Sequence, residues 1–117
     1  MEKLFDAELR LMEVIWEREP IAAKDISLAA LERFGWNKNT TYTVIKRLIE
    51  KGVLKREEPN FVCVSKVKKG DVQRAETSSL IEKLFGGSKK AFFAAFAGEK
   101  LSRDEVDELR ALIEKNR

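Results

Sequence analysis

The chain has no histidine and a single cysteine, Cys63. Without imidazole it lacks the side chain best suited to general-base work near neutral pH, and the commonest nitrogen ligand for a transition metal. One thiol and no histidine cannot supply a four-ligand zinc or copper site within one chain. An internal disulfide is excluded too, and a lone thiol fits a reducing compartment. No metal, no cofactor and no enzymatic activity are expected. Long apolar runs are also missing, since none approaches the ~18 residues that a membrane span needs. The opening Met1-Glu2-Lys3-Leu4-Phe5-Asp6 turns amphipathic at once and has no apolar leader core. A cytoplasmic protein with no membrane insertion is the expectation.

Charge is plentiful but nearly balanced, with 23 basic and 20 acidic side chains for a net +3. Its distribution is uneven. Residues 1–35 carry five basic and eight acidic groups, residues 36–69 nine and three, and residues 70–117 nine of each. A near-neutral chain with one basic block points to a localised polyanion site. The plentiful carboxylates read as solvated helix faces.

Proline and glycine are sparse, two and six in 117 residues, and they act as punctuation. Asp6 is placed to cap a first helix in which Leu9, Met12 and Trp16, with Phe5 and Ile15, form one apolar stripe. Glu19-Pro20 ends it, because the residue before proline is pushed out of helical geometry. A second helix is predicted from near Ala23 to Phe34, stopped by Gly35. Asn37 looks like the cap of a third, running to Lys51 with Gly52 as its stop. Two β-prone runs follow, Val53–Arg56 and Phe61–Val67, joined by the turn-forming Glu57-Glu58-Pro59-Asn60. Three helices and a hairpin inside 70 residues is the order of a winged helix-turn-helix.

Beyond Gly70 the composition becomes helical throughout. Asp71 is placed to cap a fourth helix, with Val72, Ala75, Leu80, Leu84 and Phe85 apolar, broken by Gly86-Gly87. Ser88 opens a fifth, Ala91–Phe96, apolar on every side. Ser102 and Glu105 form a capping box for a last helix carrying Val106, Leu109, Leu112 and Ile113 on one stripe. The fold class is therefore mainly α with a small β-hairpin. It divides into a winged helix over residues 1–70 and a three-helix region over 71–117.

On a helical wheel the third helix splits cleanly. Thr41, Val44, Ile45, Leu48 and Ile49 cluster on one side; Asn39, Thr40, Thr43, Lys46 and Arg47 lie on the other, with Tyr42 at the flank. Asn and Thr are short enough to reach base edges, and a threonine methyl can touch thymine. Lys46 and Arg47, one to two turns later, suit phosphates. An ordinary amphipathic helix with a solvated face would look the same. The hairpin bracketed by Lys55, Arg56, Lys66, Lys68 and Lys69 favours DNA, because it adds a second basic contact point beside the first.

Three stretches resemble the bacterial penicillinase-repressor family. Ala7-Glu8-Leu9-Arg10-Leu11-Met12-Glu13-Val14-Ile15-Trp16 is similar to its opening helix. Thr40-Thr41-Tyr42-Thr43-Val44-Ile45-Lys46-Arg47-Leu48-Ile49-Glu50-Lys51-Gly52 is similar to its recognition helix. Leu101-Ser102-Arg103-Asp104-Glu105-Val106-Asp107-Glu108-Leu109-Arg110 is similar to its closing dimerisation helix. The resemblance implies a homodimeric repressor on a near-palindromic double-stranded operator with TACA/TGTA-like half-sites. It puts Asn39, Thr40, Tyr42 and Thr43 at base-reading positions, and Lys46, Arg47 and the wing residues Lys55, Arg56 and Lys66 on the backbone. It implies interlocked protomers through Leu80, Leu84, Phe92, Phe96, Val106, Leu109, Leu112 and Ile113. In the β-lactam branch a membrane sensor pathway triggers cleavage in the fifth helix. The matching bond here is Ala95–Phe96, with alanine where the family usually has asparagine. The copper branch ends in paired Cys-x-Cys motifs, and this chain ends Glu114-Lys115-Asn116-Arg117 instead.

Trp16, Trp36, Phe92, Phe93 and Phe96 read as packing groups, and Cys63 as a small hydrophobe in a strand. Two readings from other classes stay open. One is a winged-helix module that meets an acidic protein; the other is a regulator that senses a small molecule or oxidant directly.

Overall fold

The computed structural model describes residues 2–97 and 101–115. In chain order the elements are α1 (Asp6–Arg18), β1 (Ile21–Ala22), α2 (Ala23–Phe34), α3 (Lys38–Glu50), β2 (Leu54–Glu57), β3 (Val62–Ser65), α4 (Lys69–Phe85), α5 (Lys89–Ala97) and α6 (Arg103–Lys115). They divide into two compact units, Met1–Ala75 and Glu76–Arg117. The division falls within α4, further along the chain than the composition shift at Gly70.

In the first unit α1, α2 and α3 bury their apolar faces together. Leu11, Met12, Val14 and Ile15 come from α1, Ala23, Ile26, Ala29 and Ala30 from α2, and Val44, Ile45 and Leu48 from α3. Val53, just before β2, and Leu54 and Cys63 of the sheet close that core. Two details of α1 differ from expectation. Its cap position is Phe5, not Asp6, and the Glu8 carboxylate reaches back to accept from Phe5 N at 2.8 Å. The Phe5 ring points outward while Leu4 is buried, so the stripe is turned towards Leu11 and Val14, leaving Leu9 and Trp16 half-buried at its edges.

Glu8 is itself only 1% exposed. Lys51 Nζ, beyond the end of α3, donates to Glu8 Oε1 at 2.6 Å and to the Lys3 carbonyl at 2.8 Å. This pair, buried on the Glu8 side and half-buried on the Lys51 side, fixes the N-terminal stretch and α1 to the far end of α3. Glu8 Oε2 is buried with no hydrogen-bond partner among the described residues.

The sheet has the order β1-β3-β2, antiparallel throughout. The hairpin was anticipated; β1 was not, because two residues carry no alternation to read. Ile21 opposes Cys63, and Ala22 opposes Val62. Trp16 Nε1 donates to Ser65 Oγ at 3.0 Å and the Val67 carbonyl at 3.2 Å, anchoring the wing's root to α1. Gly35 takes a left-handed conformation (φ 71°) that ends α2 and turns the chain into α3.

In the second unit the caps are as read: Ala91 N donates to Ser88 Oγ at 3.0 Å, and Ser102 and Glu105 exchange bonds of 3.0 and 3.1 Å. The start of α4 is a correction. The helix begins at Lys69, and Asp71 pairs with Arg74 one turn on instead of capping. A second correction concerns the aromatic cluster. Phe92 is half-buried between Phe85, Phe93 and Phe96, but Phe93 and Phe96 are 62% and 52% exposed, not core. Of the described residues from Glu76 onward, Ile81 alone is buried. A run of helices this short has no second layer to lie over its stripes.

Candidate nucleic-acid interface

Asn37 sets the start of α3: its side-chain oxygen accepts from Thr40 N at 2.8 Å. Uncapped amides at a helix start are unsatisfied donors, so this bond holds the first turn in place. The 3.6-residue period then sorts the side chains as expected. Thr41, Val44, Ile45 and Leu48 are buried, while Asn39, Thr40, Thr43, Lys46 and Arg47 are exposed. Thr41, the one polar group on the inner face, donates to the Asn37 carbonyl at 3.3 Å. Tyr42 is half-buried at the flank.

Thr43 Oγ1 donates to the Asn39 carbonyl at 2.9 Å. Its proton is spent on the helix, so outward it offers lone pairs and a methyl group. Such a threonine can accept from an adenine or cytosine amino group or touch a thymine methyl.

Strand alternation splits the wing cations. Arg56 opposes Cys63, and Lys55 opposes Val64, so Arg56 and Lys55 point to opposite faces of the hairpin. The Arg56 side joins α3: Tyr42, Lys46, Ile49, Glu50, Arg56 and Phe61 line a groove of about 490 Å3. Phe61 meets Tyr42 edge-on with ring centroids 5.9 Å apart, which ties the wing to α3. Lys46, Arg47, Lys55 and Lys66 are exposed and enter no ion pair among the described residues. Lys69 pairs with Glu13 at 3.0 Å, and Arg56 with Glu58 at 2.5 Å. The Arg56 guanidinium, then a bond from Phe61 N, hold the Glu58 carboxyl below the usual range, so it stays ionised.

Sequence reasoning missed Phe61 and Glu58 as parts of this face. The Arg56-x-Glu58 spacing is the one local signal for this pair, and in sequence residues 57–60 look only like turn formers. Leu28 and Leu31, both exposed on α2, were also missed; with Lys24, Ser27, Lys38 and Tyr42 they line a second shallow groove of about 390 Å3. Cys63 is fully buried, and desolvation pushes its thiol up to about 11. A thiol kept protonated and covered is a poor oxidant sensor.

The sequence model of the family described as penicillinase repressor matches residues 4–115. The chain belongs to that family. A methicillin resistance regulatory protein MecI of Staphylococcus aureus is 29% identical over 116 residues, 97% of this chain and 94% of that protein. A penicillinase repressor of Bacillus licheniformis is 25% identical over 118 residues, covering 98% and 92%. The solution structure of the DNA-binding domain of the repressor BlaI aligns with a TM-score of 0.55 at 30% identity, over 61% of this chain and 93% of that one. The solution structure of monomeric Bacillus licheniformis BlaI in complex with the blaP half-operator aligns at 0.53 with 30% identity, over 60% and 88%. The winged helix-turn-helix reading is thereby established, and the family is one of repressors, not enzymes. No helix among the described residues is long and apolar enough to cross a membrane.

Proposed function

We propose that this penicillinase-repressor relative is a homodimeric transcriptional repressor acting on a near-palindromic operator in the cytoplasm. The supporting observation is the outer face of α3, where Asn39, Thr40 and Thr43 precede Lys46 and Arg47 and all five are exposed. Its BlaI relative was solved with a half-operator, which supports the same use here. In this reading Asn39, Thr40, Tyr42 and Thr43 read base edges from the major groove. Lys46 and Arg47 hold phosphates, as do Lys55, Arg56 and Lys66 from the wing.

Dimerisation falls to the second unit. Leu80, Leu84, Phe96, Leu109, Leu112 and Ile113 are exposed there, with Phe92 and Val106 half-buried. Exposed apolar surface on this scale marks an association site. Two linked winged helices then span two half-sites, which a palindrome supplies. We extend the reading to induction: cutting Ala95–Phe96, both exposed in the last turn of α5, severs the chain before α6 and divides the proposed dimer face between two fragments. Intact-mass measurement on chain recovered from induced cells checks that step; an uncut chain under induction contradicts it.

Operator binding is tested by duplex selection on the full chain, followed by competition. Arg47→Ala is expected to weaken all duplexes and lower the log–log salt slope by about one. Thr43→Val is expected to alter preference at a single base position. Parent-like binding by both variants contradicts the assignment of this face. A basic patch that meets an acidic protein instead predicts no preference for a selected duplex over a random one.

A further inference from the structure

The wing tip is acidic within a basic neighbourhood. Residues 36–69 hold only three carboxylates, and Glu57 and Glu58 are two of them. Glu58 uses both oxygens. Oε1 accepts from Arg56 Nε at 2.5 Å, and Oε2 accepts from Phe61 N at 3.3 Å across the turn. Phe61 is held in left-handed backbone geometry (φ 50°), following Asn60 at φ 73°. Its ring lies beneath the Arg56 guanidinium, 3.7 Å from Cζ to the centroid, with its side towards Tyr42.

The guanidinium is thus clamped on one edge by a carboxylate and on one face by a ring. Its two Nη groups are not engaged by Glu58, and the side chain lines the groove beside Lys46. A guanidinium with a fixed plane and a free two-nitrogen edge is the geometry that grips a phosphate bidentately. Glu58 also sets a negative charge at the wing tip, which opposes loose electrostatic attachment to any duplex. Both effects act in one direction.

We propose that Glu58 is a positioning residue that sets DNA specificity: it aims Arg56 at one phosphate of a docked operator and discourages non-specific binding. This rests on the operator-binding reading above. A phosphate entering the groove between α3 and the wing meets Arg56 already oriented, so little side-chain freedom is lost on docking. A duplex that does not seat α3 gains nothing from that edge and still meets the Glu58 charge.

The experiment is a double-mutant cycle of the full chain, with parent, Glu58→Ala, Arg56→Ala and the double variant. Each is titrated by fluorescence anisotropy with a duplex selected on the parent and with a random 30-bp duplex, at several salt concentrations. The expected result is a roughly tenfold fall in the selected-to-random affinity ratio for Glu58→Ala. The selected-duplex salt slope should drop by about 0.9, as for one lost phosphate contact. Removing Glu58 in the Arg56→Ala background should lower the ratio only by the smaller share that its charge alone contributes, and Glu58→Gln, which keeps an acceptor for Nε–H, should recover part of the ratio. Thermal midpoints should stay within a few degrees, separating aim from folding. An unchanged ratio in Glu58→Ala overturns the proposal, as does a Glu58 effect of equal size with and without Arg56, which is plain charge repulsion. A parent with no preference for its selected duplex defeats the operator reading, and this proposal with it. A parent that prefers its duplex while the cycle shows no coupling defeats only this proposal.

Discussion

The two units of the chain use the same alphabet of amphipathic helices and reach opposite ends. In Met1–Ala75 three helices and a small sheet cover one another, and Leu11, Ile15, Ile45 and Leu48 are wholly withdrawn from water. In Glu76–Arg117 apolar side chains are also plentiful, yet Leu84, Phe93, Phe96, Leu109 and Ile113 stay exposed. The difference lies in topology, not hydrophobicity. A layer is stable only when a second layer lies on it, and the first unit supplies both within one chain. The second unit leaves its apolar side chains uncovered, and in the proposed reading a second copy covers them. The function proposed above follows that contrast: the covered unit is assigned to the operator, and the uncovered one to joining two copies.

The largest effect should come from the buried ion pair of the first unit. Lys51→Met strands the Glu8 carboxylate, whose side chain is 1% exposed, and is expected to cost about 3–5 kcal/mol, the usual penalty for breaking such a pair. Urea unfolding followed by circular dichroism measures it, and a loss below about 1 kcal/mol would show that the pair is not buried in solution. Second comes Leu109→Asp. It should leave the first unit's unfolding unchanged, yet give monomers on sizing and lower operator affinity at least tenfold. Dimers that persist in this variant move the interface elsewhere and break the contrast. Asn37→Ala ranks third, at about 1 kcal/mol for a lost N-cap. That loss should appear as faster amide exchange in the first turn of α3.

The smallest effect concerns Cys63. Burial raises its thiol from 9.0 to about 11, so the folded chain keeps a proton that the unfolded chain has lost. Between those values folding stability falls as pH rises; below about 9 the contribution is fully present. Cys63→Ala should flatten that part of the alkaline profile, and the parent thiol should alkylate slowly until the chain is unfolded. Rapid alkylation of folded protein at neutral pH contradicts its burial.

Much of the reader was legible in the chain because its signals are local. Asn37, Gly35 and Gly52 bracket α3 and the end of α2, and a 3.6-residue period places Thr43 and Arg47 outward without reference to anything distant. What escaped depends on contacts between remote residues. Strand β1 exists only because β3 lies beside it. Glu8 looks like one more solvated carboxylate until Lys51, 43 positions away, covers it. The outward turn of Phe5 and the exposed rings of Phe93 and Phe96 have the same origin: an apolar pattern says that a face needs cover, not which chain supplies it. Glu58 lies between these cases, two residues from its partner but visible as a clamp only once the turn brings Phe61 beneath Arg56.

The central claim is that the outer face of α3 is what touches DNA. Amide chemical shifts of the full chain, followed while a selected operator duplex is added, test it directly. The account requires the largest shifts at Asn39, Thr40, Thr43, Lys46 and Arg47, with a second set at Arg56 and Phe61. Shifts concentrated in α5 and α6, with α3 unmoved, would contradict it.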